Sequence, residues 1–435
     1  MSSAAVVMFA LFFGWMAIGM PIGHAMLVAS FVYLFMTGQD IGLVASQSLN
    51  GLFNSFVLIA VPLFILAADI MNASKITDRL FQFANLLVGR LRGGLAHVNV
   101  VASIIFSGMS GSALADAAGP GKLEVDMMVK AGYSPGFSAA LSTTSAIIGP
   151  IIPPSIPMVL YGLVSNTSIG YLFIGGVIPG LLLGLAQMAV ITVIARKRDF
   201  PVEPVPTRQE AVRTTISAAP ALLLPAIMVG GIYSGAVTPT EAAAVAAGYA
   251  LLLAAFWYRT LSFPRLVEVL IESARSTGIV AITIAGALAM NWVVAAEQIP
   301  SFIGEWMLRL DVSPMVFLLL VNLLILVLGC FLDTLLMLLV IVPILMPAVR
   351  ALGIDPVHFG VTAVVNMMIG LVTPPMGQLL FLISGVSGIE LHLIMKELWQ
   401  FLIVLIILLF VLVFVPELTL WLPEQMGYQP VRPPG

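Results

Sequence analysis

Charged residues are scarce in this sequence. Lys, Arg, Asp and Glu together make up 9% of the 435 residues, whereas a soluble globular domain carries roughly a quarter. Hydrophobic residues account for 60%, and the mean hydropathy is +1.11. This composition excludes a soluble protein and predicts a chain that crosses a membrane several times. The formal net charge of −3 is too small to indicate a nucleic-acid partner.

Several catalytic and metal-binding signatures are also missing. The single cysteine, Cys330, excludes an internal disulfide and a cysteine-rich metal site. The four histidines show no HExxH or related spacing. The sequence has no Walker lysine, no nucleophile–base pair and no GxGxxG after a strand pattern, which excludes an ATPase and argues against any enzyme. No Lys or Arg precedes Lys75, so the N-terminus lacks the basic region of a signal peptide and is predicted to be the first membrane helix.

The most informative stretch covers residues 106–161. Its ends are apolar, but its middle is rich in hydroxyls, and Gly149-Pro150 and Pro153-Pro154 interrupt the helical pattern. Hydrocarbon does not tolerate the backbone groups that Gly and Pro leave unpaired unless they line a cavity or an ion site. A broken, hydroxyl-rich helix therefore indicates a transport site. The alternative is hydrogen bonding between packed helices with an ordinary proline kink.

The same pattern occurs a second time, 221 residues later. The identical pairs are Gly108 and Gly329, Gly132 and Gly353, Pro135 and Pro356, Gly149 and Gly370, and Pro153-Pro154 and Pro374-Pro375. At the same offset, Ser112 is matched by Asp333 and Ser145 by Asn366. Other residues rarely replace the backbone roles of Gly and Pro, so the shared register predicts two structural repeats.

The predicted architecture is an all-α polytopic membrane protein made of these two repeats. The first repeat, residues 1–195, is predicted to contain helices 4–20, 22–36 and 53–73, a polar connection 38–50, an amphipathic arm 75–92, a re-entrant hairpin 95–130, a broken helix 136–165 and a helix 170–195. Residues 196–213 form a Pro-rich linker. The second repeat, residues 214–415, is predicted to contain helices 214–232 and 238–256, an amphipathic piece 259–275, a helix 276–296, a polar stretch 297–314, a hairpin 315–350, a broken helix 356–386 and a last helix 393–415. A tail, 416–435, follows.

Charge bias predicts that the repeats have opposite orientations in the membrane. The connection 38–50 has no Lys or Arg, whereas the equivalent 259–275 has three arginines. Conversely, 75–92 has four basic residues and the equivalent 297–313 has one. Basic loops stay on the cytoplasmic side, so the repeats are inverted and the linker is cytoplasmic. Both termini are then periplasmic.

Inverted repeats of this kind place both hairpin tips and both helix breaks near the bilayer midplane. Hard cations such as Na⁺ prefer the hydroxyl, carbonyl, amide and carboxylate oxygens that gather there. The sequence therefore predicts two or more Na⁺ sites, with interhelical hydrogen bonding as the alternative. The candidate Na⁺ ligands are Ser110, Ser112, Ser145 and Gly149 in the first repeat, and Gly329, Asp333, Thr334, Asn366, Gly370 and Thr373 in the second.

Neither tip carries Lys or Arg, so an anionic substrate would meet helix N-termini, hydroxyls and bound cations. The residues predicted to border the substrate are Thr143, Thr144, Pro154, Ser155 and Pro375. The intramembrane carboxylate of Asp69 is either functional or structural, and Asp116 is placed on the second arm of the hairpin. Glu124 and Asp126 are expected to reach water.

Five segments resemble a known family, the DctM-like large membrane subunit of tripartite ATP-independent periplasmic (TRAP) transporters. They read VPLFILAADIM at 61–71, GRLRGGLAHVNV at 89–100, FSGMSGSALAD at 106–116, GYSPGFSAALSTTSAIIGPIIPPSIPMVLYG at 132–162 and VTPTEAAAVA at 237–246. The resemblance covers nearly the whole chain.

This resemblance implies an elevator-type transporter in the bacterial inner membrane, driven by a Na⁺ gradient. It also implies a small four-helix membrane subunit, expected as a separate chain, and a soluble periplasmic binding protein that delivers an organic acid of dicarboxylate or sugar-acid type. By position, Na⁺ binding falls on the tips 107–112 and 329–334 and on the breaks at Gly149 and Gly370. A stand-alone dicarboxylate/Na⁺ symporter and a channel or structural membrane component are the alternatives.

The inverted orientation can be tested by labelling. In a Cys330→Ala background, a cysteine introduced within 40–48 should react with an impermeant thiol reagent from the periplasm. A cysteine within 200–208 should react only from the cytoplasm, because basic segments stay on that side. Equal accessibility of the two positions from one side would contradict the inversion.

Overall fold

A computed structural model describes residues 2–54, 56–74, 76–198, 200, 207–299, 302 and 312–431. In these residues the regular structure is entirely helical. Six of the described helices are long and apolar enough to cross a membrane, and a seventh span exists if the bent pair Ala60–Ala73 and Ile76–Val88 counts as one. Shorter apolar helices fill the rest of the fold. The predicted all-α polytopic architecture is confirmed.

The first set of helices, which we call the outer group, comes from the beginning of each repeat. Helices before residue 89 pack mainly against helices of 208–296. The members are Ser3–Ala17, Ile22–Thr37, Gly42–Asn54, Ala60–Ala73, Ile76–Val88, Arg208–Tyr233, Pro239–Leu252 and Phe263–Ala296.

The second set, which we call the hairpin group, contains the re-entrant hairpins and broken helices. In the first repeat its members are Gly94–Ser110, Ala113–Asp116, Lys122–Lys130, Pro135–Ala146, Ile156–Ser165 and Ile169–Lys197. In the second they are Pro314–Gly329, Thr334–Leu336, Val342–Ala351, Pro356–Gly370, Gln378–Ser387, Leu391–Phe414 and Glu417–Gln425. A π-helical turn joins the pieces of each second hairpin arm, at Ala117–Gly121 and Met337–Ile341.

The element boundaries follow the offset of 221 residues. The second hairpin arms begin at Ala113 and Thr334 (113 + 221 = 334), and the broken helices begin at Pro135 and Pro356 (135 + 221 = 356). Each broken helix stops after its first half and resumes beyond a Pro-Pro pair. The peptide bond within each pair is cis. The two hairpins and two broken helices predicted from the sequence are therefore present.

One difference between the repeats has a simple cause. In the first repeat, the helices Gly42–Asn54 and Ala60–Ala73 are separate, whereas the second repeat has one continuous helix, Phe263–Ala296. The predicted division of the latter at residues 275–276 is wrong. Pro62 lies in the first turn of its helix, where proline's missing N–H is tolerated and the preceding residues are restricted. The equivalent position, Thr283, allows the helix to continue.

Three predicted irregular segments contain helix. The connection 38–50 is mostly the helix Gly42–Asn54, which the Asp40 carboxylate starts by accepting from the Gly42 N–H at 2.8 Å. The linker is shorter than 196–213, because a capping box between Thr207 and Glu210 begins the next helix at Arg208. The tail contains the helix Glu417–Gln425, which packs on Ile169–Lys197.

Candidate functional site: hairpin tips and helix breaks around one cavity

The tip of the first hairpin is a two-residue turn with polar side chains on both sides. Gly111 provides the turn with a φ of +59°, a conformation that other residues rarely adopt. Before it, the Ser110 hydroxyl donates to Asp116 Oδ1 at 2.5 Å. After it, the Ser112 hydroxyl accepts from the Ala115 N–H at 3.4 Å and caps the second arm.

The first broken helix is attached to this tip through backbone atoms. The Ile156 N–H donates to the Gly111 carbonyl at 3.4 Å. A Cβ at Gly111 would lie 2.6 Å from the Pro154 carbonyl oxygen, so the tip and the break approach closely because this residue has no side chain. Ser155 caps the second half, accepting from the Met158 N–H at 3.1 Å, and its hydroxyl donates to the Pro150 carbonyl.

A buried carboxylate lies against the first helix break. Asp116 is 4% exposed, and its Oδ2 has no hydrogen-bond partner among the described residues. A Cβ at Gly149 would overlap this oxygen. The absence of a side chain at Gly149 therefore leaves the room that the Asp116 carboxylate occupies.

In the second repeat, backbone atoms occupy the space that is equivalent to the one beside Gly149. A Cβ at Gly370 would lie 2.8 Å from Gly329 Cα, so the hairpin and the broken helix meet glycine to glycine. Asp333 caps the second arm by accepting from the Leu335 N–H at 2.8 Å. Thr334 is buried, and its hydroxyl has no partner within the described part of the chain.

Two buried asparagines on the first hairpin arms complete the polar interior, and neither was predicted from the sequence. Asn99 Nδ2 donates to the Ser142 hydroxyl at 2.5 Å, and the Ser145 hydroxyl donates to Asn99 Oδ1 at 2.7 Å. Asn366 Nδ2 donates to Asn322 Oδ1 at 2.9 Å, while Asn366 Oδ1 has no partner among the described residues. An amide inside each apolar arm was the available signal.

A cavity of about 880 Å³ lies where these elements meet. Both tips and both breaks line it on one side, and helices of the outer group line it on the other. Of the predicted Na⁺ ligands, Ser110, Ser112, Asp333 and Thr334 reach this cavity. The remaining predicted ligands, Ser145, Gly149, Gly329, Asn366, Gly370 and Thr373, are not among the residues that line it.

The predicted substrate residues are not part of the cavity lining. The hydroxyls of Thr143 and Thr144 donate to carbonyls one turn earlier in their own helix, at 2.6 and 3.0 Å. Ser155 is fully buried and engaged in capping. Pro154 contributes its carbonyl to the contact with the tip, and Pro375 is exposed. The nearby Pro150, Ile156, Leu371 and Gln378 line the cavity instead.

One of the acidic residues on the first hairpin is buried where exposure was predicted. Asp116 lies on the second hairpin arm, as expected, and Asp126 is exposed. Glu124, however, is 2% exposed, so the prediction that it reaches water is wrong. Its helix, Lys122–Lys130, turns Glu124, Val125 and Met128 inwards and Asp126 outwards. Two residues along a helix separate the faces by about 200°.

Four helix N-termini converge on the cavity. The residues at or next to these starts, Ser112, Ile156, Asp333 and Gln378, are among those that line it. The helices that end at Ser110, Ala146, Gly329 and Gly370 bring their C-termini to the same region. Helix N-termini carry partial positive charge and C-termini partial negative charge, so this arrangement places partial charges of both signs around the cavity.

Comparison with known proteins decides the family. The family model described as "Tripartite ATP-independent periplasmic transporter, DctM component" matches residues 9–418. The chain belongs to the DctM family of TRAP transporter components. It is 45% identical over 96% of its length to the sialic acid TRAP transporter large permease protein SiaM of Vibrio cholerae, 98% of which is covered. It is 41% identical over 86% of its length to the C4-dicarboxylate TRAP transporter large permease protein DctM of Pseudomonas aeruginosa, 87% of which is covered.

Solved structures support the fold of this DctM-family chain. The YdaH transporter of Alcanivorax borkumensis superposes with a TM-score of 0.64 at 14% identity, covering 91% of this chain and 90% of that one. MtrF of Neisseria gonorrhoeae superposes with a TM-score of 0.59 at 14% identity, covering 88% and 86%. At this identity the likeness concerns the fold alone. The chain is thus a multi-pass membrane transport subunit with the fold of these transporters.

The contact between the first tip and the first break can be tested with a matched pair of glycines. Gly111→Ala would strain a positive φ and also overlap the Pro154 carbonyl, whereas Gly132→Ala strains a φ of +95° with open space around its Cβ. Each strained φ costs about 1–3 kcal/mol. We expect Gly111→Ala to lower the thermal unfolding temperature more than Gly132→Ala and to reduce uptake in proteoliposomes. Equal effects of both substitutions would show that the contact does not matter.

Proposed function

We propose that this chain carries out Na⁺-coupled uptake of an organic acid as the transport subunit of a TRAP system. It works in the bacterial inner membrane with a separate four-helix small subunit and a periplasmic binding protein, and both of its termini are periplasmic. One observation carries the proposal: both hairpin tips and both helix breaks meet at a single cavity, with four helix N-termini at its wall.

Unsatisfied oxygens near the breaks support the choice of cation. Asp116 Oδ2, Thr334 Oγ1 and Asn366 Oδ1 are buried without a partner among the described residues. Buried polar atoms are nearly always hydrogen-bonded, so each of these oxygens requires a partner. The described residues contain no group of three His, Cys, Asp or Glu side chains that suits a transition metal. Neutral oxygens with a single carboxylate suit a hard monovalent cation, and we assign at least one Na⁺ to each repeat.

The helix N-termini at the cavity support an anionic substrate. No Lys or Arg lines the cavity within the described part of the chain. Backbone amides and bound Na⁺ would therefore supply the positive potential that holds a carboxylate. Relatives carry names for sialic acid, C4-dicarboxylates and 2,3-diketo-L-gulonate, all of which are carboxylic acids. Na⁺ binding and substrate binding are then coupled because the ions help to create the anion site.

The division of the chain into two helix groups supports an elevator mechanism. The cavity lies between the hairpin group and the outer group, so its two walls belong to different packing units. Movement of the hairpin group against the outer group would carry ions and substrate between the two faces of the membrane without unfolding either tip. A stand-alone dicarboxylate/Na⁺ symporter would share this chemistry but would need no binding protein.

Ion dependence tests the cation sites. Asn366→Ala and Asp116→Asn should each raise the Na⁺ concentration for half-maximal uptake in proteoliposomes. The loss of one contact to the ion worth about 1.5 kcal/mol corresponds to roughly a tenfold change. Ser138→Ala is the control, because this buried hydroxyl lies in the first broken helix but donates only to the Ser134 carbonyl. Unchanged uptake with K⁺ in place of Na⁺, driven by a proton gradient, would refute the Na⁺ assignment.

Substrate delivery separates the TRAP system from a stand-alone symporter. Proteoliposomes with this chain and the small subunit should take up substrate presented by the binding protein, and added salt should slow this uptake when binding protein is limiting. Equal, saturable, Na⁺-driven uptake of free substrate would favour the symporter. The periplasmic face on which the binding protein would dock comprises 38–50, 297–313 and 350–355, with Glu297, Glu305 and Asp311 among its acidic residues.

Glu297 is not a simple docking residue, because its carboxylate is hydrogen-bonded within the protein. The Glu297 carboxylate accepts from the Ser2 backbone N–H at 2.7 Å and from the Tyr33 hydroxyl at 2.8 Å. A charge reversal at Glu297 would therefore disturb internal packing as well as docking. Glu305 and Asp311 lie outside the described residues.

A further inference from the structure

The wall of the cavity formed by the outer group has a different chemistry from the wall formed by the hairpin group. Two helix faces contribute most of the outer-group wall, with lining residues spaced about one turn apart. They are Ile65, Ala68 and Asp69 on one helix, and Ser276, Ile279, Val280 and Thr283 on the other. The start of the helix Ile22–Thr37, including His24, completes this wall. It is largely apolar, with Asp69 as its carboxylate.

Asp69 is only partly used by the protein. The Ser273 hydroxyl donates to Asp69 Oδ2 at 2.6 Å and so joins two helices of the outer group. Asp69 Oδ1 accepts no hydrogen bond from any described residue, and the residue is half-buried on the cavity wall. Within the described part of the chain no Lys or Arg lines the cavity, so this oxygen is an open hydrogen-bond acceptor.

The opposite wall favours the carboxylate end of a ligand. It presents the helix N-termini, and its own carboxylate, Asp333, accepts from the Leu335 N–H at the start of one of these helices. A ligand that places one carboxylate there and spans the cavity can bring its other end to Asp69. The charges on the two walls therefore impose different requirements on the two ends of the ligand.

We propose that Asp69 accepts hydrogen bonds from hydroxyl or amide groups at the end of the substrate remote from its carboxylate, so that the cavity selects polyhydroxylated monocarboxylic acids over unsubstituted dicarboxylic acids. This inference rests on the proposed transport function and defines its substrate class. Like charges facing each other in a partly desolvated site are costly, so a second carboxylate is rejected at Asp69. A site built to bind a hydroxyl also discriminates strongly against analogues that lack it.

The size of the cavity agrees with this substrate class. Ligand sites of about 300–1,000 Å³ generally enclose molecules much larger than a four-carbon acid, and this cavity has about 880 Å³. The cavity therefore has room for a sugar acid, whereas a short dicarboxylate would leave much of it unfilled.

Binding measurements on the purified complex of this chain with its small subunit test the proposal. Isothermal titration at saturating Na⁺ compares two polyhydroxylated monocarboxylates, gluconate and N-acetylneuraminate, with two dicarboxylates, succinate and adipate. At least one polyhydroxylated acid should bind with an affinity about tenfold or more above that of either dicarboxylate. Asp69→Asn should weaken its binding about tenfold or more, and should leave dicarboxylate binding unchanged or tighter.

Two matched variants separate this role from a structural one. Glu272→Gln removes a neighbouring carboxylate that does not line the cavity, and Ser273→Ala removes the helix-joining hydrogen bond but keeps the Asp69 charge. Both should keep the preference for the hydroxylated acid. Equal weakening of all four acids by Asp69→Asn, or a wild-type preference for a dicarboxylate, overturns the inference while leaving the transport function intact. Absence of Na⁺-dependent binding for all four acids overturns both.

Discussion

A helix that ends inside hydrocarbon leaves backbone amides or carbonyls without partners, and the rest of this structure depends on how they are satisfied. Helices of this chain end in this way at two hairpin tips and two helix breaks. Side chains at the helix starts, such as Ser112, Ser155 and Asp333, cap part of the exposed backbone. Glycines bring the remaining backbone close to a neighbouring element, as at Gly111 and Gly370. The interruptions therefore hold one another in place around the cavity.

The same constraint gives the site its two kinds of electrostatic potential. Helices that begin at the cavity turn amide N–H groups towards it, and helices that end beside it turn carbonyls towards the space behind the tips. The unpartnered oxygens of Asp116, Thr334 and Asn366 lie in that part of the molecule. The proposed binding of an anion and its accompanying cations therefore relies on the ends of helices, since the chain has few charged side chains.

The two repeats share this geometry but differ in chemistry. At Gly149 the available space is filled by the Asp116 carboxylate, whereas at Gly370 it is filled by the Gly329 backbone. A buried carboxyl group at one break and backbone at the other are not expected to hold a cation equally well. Symmetry of the fold therefore does not make the two proposed ion sites equivalent.

The positions of Gly and Pro, together with hydropathy, determined much of this protein from the sequence alone. These signals predicted the membrane class, both hairpins, both broken helices and the offset between the repeats, because backbone requirements at a helix break admit few residue types. They failed for the burial of Glu124, because the packing of neighbouring elements decides which face of a helix is covered. Only the tertiary structure could show that Thr143 bonds within its own helix, that Asn99 reaches across to the first broken helix, and that Asp69 faces the cavity. The positions of Asn99 and Asp69 depend on contacts between residues that are distant in the sequence. The hydrogen bond of Thr143 depends on which rotamer the surrounding helices allow. The local sequence pattern therefore could not predict any of the three.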